Sequence, residues 1–201
     1  MSIKSFFKLV EIQTKVASVV PFFLGSAFAF YNYQNFNIKN FLIMFISLLS
    51  FDMVATAINN YIDYKKAVKK HGYNYEFHNA IVRYNLKEST VIIIISFLFL
   101  IASLSGIFLF LNTNIVVLIL GIISFLVGIF YSFGPVPISR TPFGEFFSGF
   151  FMGFIIILLS IYIHIHDSVL IDLTFIDGIL NVIFIFFYLI ILFFVFFFFF
   201  F

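Results

Sequence analysis

Phe41-Leu42-Ile43-Met44-Phe45-Ile46-Ser47-Leu48-Leu49-Ser50-Phe51-Asp52-Met53-Val54-Ala55-Thr56-Ala57-Ile58-Asn59-Asn60-Tyr61-Ile62-Asp63 is a stretch in which an almost unbroken apolar run gives way to spaced polar residues. A bilayer core about 30 Å thick is crossed by roughly 20 helical residues rising 1.5 Å each, so this stretch is long enough to span one. Strands of a membrane barrel would alternate in character instead. Asp52, Thr56, Asn59, Asn60 and Asp63 stand at i, i+4, i+7, i+8 and i+11, which fits one polar stripe on a helix of 3.6-residue period. The fold class is all-α.

Composition extends that reading to the whole chain. Of 201 residues, 63% are hydrophobic, 23% aromatic and only 10% charged, and the mean hydropathy is +1.18. So few charges cannot cover a water-exposed surface, which excludes a soluble monomer; the same numbers exclude disorder. A formal net charge of +2 gives no reason to expect nucleic acid as a partner. With no cysteine there is no disulfide, thiolate metal site or cysteine nucleophile. Six stretches are long and apolar enough to span, at about Val16–Phe30, Phe41–Ile62, Thr90–Leu111, Ile115–Phe133, Phe143–Ile165 and Ile176–Phe201. No internal repeat or Gly/Ser-rich linker divides them. The expectation is a polytopic transmembrane helical bundle forming a single domain over 1–201.

Charge placement orients the bundle. Lys4, Lys8 and Lys15 precede the first span; Lys65, Lys66, Lys69, Lys70, Arg83 and Lys87 lie between the second and third; Arg140 lies between the fourth and fifth. Only Lys39 falls on the opposite side. The positive-inside rule then places the N-terminus and the long second connection in the cytoplasm. Phe196 to Phe201 is an unbroken phenylalanine run with no basic anchor after it, and the chain is expected to be incomplete at its C-terminus.

The polar residues that resist the membrane carry the chemical information, because an ionisable group in a span is costly. Carboxylate and carboxamide oxygens one turn apart on the second span suit a hard cation such as Mg²⁺, which takes oxygen ligands and commonly bridges substrate phosphates. Asn59 and Asp63 are the candidate metal ligands and catalytic residues, with Asp52 and Asn60 beside them. The other reading is that these groups bond from helix to helix, as polar residues in bundles do. Lys65, Lys66, Lys69 and Lys70 are either an interfacial anchor or a collar attracting a diphosphate. In the second polar region, Gly134 and Pro135 end the fourth span, while Tyr131 and Arg140 either point donors at the cavity mouth or, for Arg140, pair with Glu145. His164 and His166 lean to opposite faces and do not make a metal site.

These residues resemble the UbiA superfamily of intramembrane prenyltransferases, most closely the 1,4-dihydroxy-2-naphthoate polyprenyltransferase branch. The likeness runs through Lys8-Leu9-Val10-Glu11-Ile12-Gln13-Thr14-Lys15-Val16-Ala17-Ser18 and Pro21, then Ala57-Ile58-Asn59-Asn60-Tyr61-Ile62-Asp63-Tyr64-Lys65-Lys66, then Tyr131-Ser132-Phe133-Gly134-Pro135-Val136-Pro137 and Gly144-Glu145. The resemblance implies transfer of a polyprenyl group from its diphosphate to an aromatic quinone precursor, as in menaquinone biosynthesis. It implies Mg²⁺ at two aspartate-rich motifs, a bacterial plasma-membrane location, and Lys15, Asn60, Asp52, Tyr131 and Arg140 around the substrates. Against the family's Asn-Asp-x-x-Asp-x-x-x-Asp, Asn59 and Asp63 match, whereas Asn60 and Ala67 stand in place of acids. Family members carry about nine spans, and nothing between His166 and Phe201 has the character of a second motif; Asp167, Asp172 and Asp177 lie on the other side. The alternative class is a non-enzymatic lipid- or quinone-binding membrane protein or a small transporter.

Overall fold

The computed structural model describes residues 1–66, 79–133, 137–138, 141 and 143–166. The described residues are helical, with no strand among them. Short α1 (Ile3–Leu9) opens on a capping box, in which Ser2 and Ser5 satisfy each other's backbone donors. Glu11 then takes a left-handed conformation at φ 48°, turning the chain into a 3-10 turn (Ile12–Lys15) that runs directly into α2 (Val16–Tyr33). There follow α3 (Ile38–Lys66), short α4 (Ala80–Arg83), α5 (Glu88–Asn112) and α6 (Ile115–Ser132). The last described rod is α7 (Gly144–Gly149), a π-helical turn (Phe150–Ile155) and α8 (Ile156–Ile165), continuous from Gly144 to Ile165.

Among the described residues, five helical segments are long and apolar enough to cross a bilayer: Ile12–Tyr33, Ile38–Lys66, Glu88–Asn112, Ile115–Ser132 and Gly144–Ile165. They correspond to the first five expected spans; the sixth, Ile176–Phe201, lies outside the described residues. At 29 residues α3 is roughly 43 Å long, so its ends overshoot the hydrocarbon and carry Lys39 and Lys65 toward the two interfaces.

Many large apolar side chains on these helices are exposed, Phe97, Leu104, Leu111, Ile119 and Phe130 among them. That is the arrangement for a lipid solvent, which matches leucine and phenylalanine as well as a protein core does. Contact inside the bundle depends instead on close approach and polar bonds. α3 packs most extensively on α5, and α2 on α8. At the α2–α8 crossing a Cβ on Gly25 would lie 2.7 Å from both the Ile157 carbonyl oxygen and Ser160 Cβ, so only glycine permits the approach. Ser47 Oγ donates to the Ala102 carbonyl across α3–α5, and Asn40 Nδ2 donates to the Ile163 carbonyl across α3–α8. Asn37 N donates to His164 Nδ1 at 2.9 Å, and Phe36 stacks on the same ring. His164 is thus a bonded packing residue; no group of three His, Cys, Asp or Glu that could hold a metal occurs among the described residues.

Candidate active site

Because α3, α5, α6 and the α7–α8 rod meet imperfectly, a cavity of about 790 Å³ remains between them, within the range of ligand pockets. Met44, Ser47, Leu109, Val117 and Gly121 line one end, and Glu11, Thr14, Ser18, Asp52, Thr56, Asn59, Tyr131 and Ser132 line the other. From Met44 to Asn59 the α3 wall rises about 22 Å. Elsewhere the wall is mainly apolar and aromatic, with Phe51, Phe99, Phe125, Phe147 and Phe151, and Ser103, Ser124 and Ser148 are the hydroxyl residues set among them. Phe51 and Phe125 stack at 3.9 Å with their planes 6° apart, and Phe51 occupies the space left by the missing side chain of Gly128. The π-helical turn contributes Phe151, Met152 and Ile155 to the same wall.

At the polar end the expected stripe divides. Asp52, Thr56 and Asn59 face the cavity. Asp63, one turn beyond Asn59, is half-buried and lies outside the cavity wall. Asn60 also lies outside it and is 7% exposed. Its Nδ2 donates to the Leu9 carbonyl at 3.0 Å and to Glu11 Oε1 at 3.3 Å, and its own carbonyl accepts from Asn79 Nδ2 at 2.8 Å. Asn79 in turn caps α4 by accepting from Ile81 N. Asn60 is therefore a bracket joining α1, α3 and α4, where the resemblance implied a substrate contact.

Lys15 is likewise built into the protein. It is 3% exposed and does not line the cavity. Its ammonium donates to Asp52 Oδ1 at 2.7 Å, to the Asp52 carbonyl at 3.1 Å and to Thr56 Oγ1. An ammonium has three donors, and all three are used. Thr56 Oγ1 donates to the Asp52 carbonyl at 2.8 Å, and the Ser18 hydroxyl donates to Asp52 Oδ2. A substrate diphosphate would find no free donor on Lys15. Outside the cavity Lys65 pairs with Glu88 and sits 5.8 Å over the Tyr61 ring. Arg140, Gly134, Pro135, Lys69, Lys70, Asp167, Asp172 and Asp177 lie outside the described residues.

Glu11 and Ser18 are cavity residues to which spacing gave no role. Glu11 reaches the wall only because its left-handed backbone turns α1 into the following helix. Ser18 stands at i+3 from Lys15, which puts both on one side of the chain.

Over residues 18–201 the chain matches the UbiA prenyltransferase family. The chain belongs to the UbiA prenyltransferase family. A curated relative, 1,4-dihydroxy-2-naphthoate octaprenyltransferase of Bacillus subtilis strain 168, is 31% identical over 156 residues, which is 78% of this chain and 50% of the relative. The chain thus spans about half the length of the curated relative it matches. No solved structure matches the chain.

The donor set at the polar end also bears on the expected Mg²⁺. Lys15 and Ser18 engage Asp52, and the other carboxylate and carboxamide oxygens at that end belong to Asn59, to Glu11, which accepts from Asn60, and, one turn on, to Asp63. That is too few for an all-protein cage, but it fits a Mg²⁺ held by one or two side chains together with substrate phosphates.

Proposed function

We propose that this chain transfers a polyprenyl group from polyprenyl diphosphate to a hydroxylated aromatic acceptor of the naphthoate class, the prenylation step of menaquinone biosynthesis, at the cytoplasmic face of the bacterial plasma membrane. The observation that carries the proposal is the one-ended polarity of the 790 Å³ cavity. An isoprenoid tail gains its binding energy from the apolar shaft, and the headgroup is thereby fixed at the polar end. Asn59 and Asp63 would hold Mg²⁺ against the diphosphate, with Tyr131 as a donor at the same end. The bound metal supplies charge to neutralise the leaving group.

Ionisation breaks the allylic carbon–oxygen bond, and the electron pair leaves with the diphosphate. The carbocation is attacked by the aromatic ring, with loss of carboxylate as carbon dioxide in the naphthoate branch. Phe51, Phe125, Phe147 and Phe151 present aromatic walls that exclude water from this cation and stabilise it through their ring faces. The family match and the named relative support the reaction class.

A second reading, a lipid- or quinone-binding role without catalysis, draws on Asn60: the family's acid is here a structural bracket. The test is an assay of the purified chain in proteoliposomes with 1,4-dihydroxy-2-naphthoate, radiolabelled polyprenyl diphosphate and Mg²⁺. Labelled decarboxylated naphthol that disappears with EDTA supports the transferase. Saturable quinone binding with no product at any Mg²⁺ concentration supports the second reading.

A further inference from the structure

We infer that Asp52 receives a ring hydroxyl of the aromatic acceptor, with Lys15 and Ser18 as the positioning residues that hold its carboxylate. The inference rests on the prenyl-transfer reading and narrows it by assigning the acceptor's polar anchor. Lys15 and Asp52 form an ion pair whose side chains are only 4% and 11% exposed. Only the carboxylate partner lines the cavity. An ionised carboxylate offers about four acceptor sites. Lys15 Nζ takes one on Oδ1 and Ser18 Oγ takes one on Oδ2, which leaves acceptor capacity on a group whose countercharge is locked behind it.

The charge pattern selects the ligand. A diphosphate is repelled by Asp52 and cannot reach a donor on Lys15. A neutral hydroxyl donor is attracted, and a hydrogen bond to an ionised acceptor is roughly twice as strong as a neutral one. Phe51 adjoins Asp52 in sequence and lines the same cavity with Phe125 and Tyr131, so the hydroxyl that fits is one carried on a flat aromatic ring. Asn59 lies two turns further toward Lys65, so head and acceptor occupy different levels of the cavity. A buried ion pair is commonly replaceable by apolar residues at little cost in stability, so packing alone does not call for one in this wall.

The experiment uses the whole chain in lipid nanodiscs with two fluorescent probes, 4-hydroxy-2-naphthoate and 4-methoxy-2-naphthoate, in the second of which a methyl group replaces the donor proton. The chain contains no tryptophan, so naphthalene emission is uncontested. Farnesyl thiolodiphosphate with Mg²⁺ is titrated in parallel. The wild type is expected to prefer the hydroxy probe about tenfold. The doubly neutral variant Lys15→Met/Asp52→Leu is expected to lose that preference while binding the thiolodiphosphate within twofold of wild type; Asp52→Asn, which keeps the side-chain shape, should weaken the preference in the same direction.

Hydroxy preference unchanged in both variants overturns the assignment and leaves the prenyl-transfer reading standing. Loss of both ligands in variants that still melt cooperatively overturns the separation of sites. A wild type that binds the thiolodiphosphate and shows no preference between the naphthoates also overturns it. A wild type that binds neither class overturns the prenyl-transfer reading itself.

Discussion

Removing one partner of the Lys15–Asp52 pair is expected to unsettle the bundle far more than removing both. In Lys15→Met the Asp52 carboxylate, 11% exposed, keeps only the Ser18 hydroxyl. In Asp52→Leu the ammonium, 4% exposed, keeps only a carbonyl and the Thr56 hydroxyl. Breaking a buried pair from one side typically costs about 3–5 kcal/mol, because a desolvated charge is left uncompensated. For a chain of about 200 residues each kcal/mol moves the melting temperature by roughly 2–4 °C, so each single variant should melt about 6–20 °C below wild type. The double variant Lys15→Met/Asp52→Leu should return to within about 1 kcal/mol, since no charge remains to be desolvated. The measurement is circular dichroism at 222 nm against temperature for the four proteins in one detergent, read as a double-mutant cycle. Single variants indistinguishable from wild type, or a double variant that loses the sum of the two, would refute the pair as a buried, mutually dependent unit.

Gly25→Val should lower the melting temperature, by about 1–3 kcal/mol in stability, because the new side chain meets the Ile157 carbonyl and Ser160 across α2–α8; Gly149→Ala, where a Cβ meets nothing within 4 Å, is the matched control. Gly121 lines the apolar end of the cavity with no atom near its Cβ, so Gly121→Phe should leave the melt intact and weaken binding of a long polyprenyl thiolodiphosphate more than that of the geranyl analogue. Asn60→Ala should destabilise the fold by about 1–3 kcal/mol through the stranded Leu9 and Glu11 acceptors. Asn59→Ala should leave the melt unchanged and reduce the Mg²⁺-dependent component of thiolodiphosphate binding, measured by titration with and without EDTA.

The helical bundle was legible because hydrophobic run length is a strong and local signal. The five described spans lie where that signal put them, and α3 outruns its apolar stretch because its helix continues from Ile38 to Lys66. The candidate site was legible in kind and only partly in detail. Asp52, Asn59 and Tyr131 do line one cavity with Thr56. That Lys15 spends every donor internally could not be read from spacing, because its partners lie more than thirty positions away in the chain. Glu11 was hidden for a different reason. Its place in the wall depends on a left-handed backbone at a residue other than glycine, asparagine or aspartate, the types that most often adopt one. The π-helical turn in the last described rod has no counterpart in a pattern read at 3.6 residues per turn.

The division of the polar stripe follows from angle. At about 100° per residue, Thr56, Asn59 and Asp63 fall within roughly 40° of Asp52 around the α3 axis, whereas Asn60 falls about 80° away. A stripe spanning that arc passes as one face in a sequence, yet a helix wall seen from a cavity subtends less. Asn60 is therefore turned toward the neighbouring backbone of Leu9, and Asn59, one position earlier, toward the cavity. Asp63 shares that angle and sits one turn beyond the last cavity residue of α3. The angular argument makes a carboxylate at position 60 a bracket group in this structure as well. Asn60→Asp should accordingly place an acid against the Leu9 carbonyl and Glu11, destabilise the fold, and add no Mg²⁺ affinity. An Asn60→Asp chain that melts like wild type and binds Mg²⁺-thiolodiphosphate more tightly would show that position 60 faces the substrate, and would overturn the two-faced reading of α3.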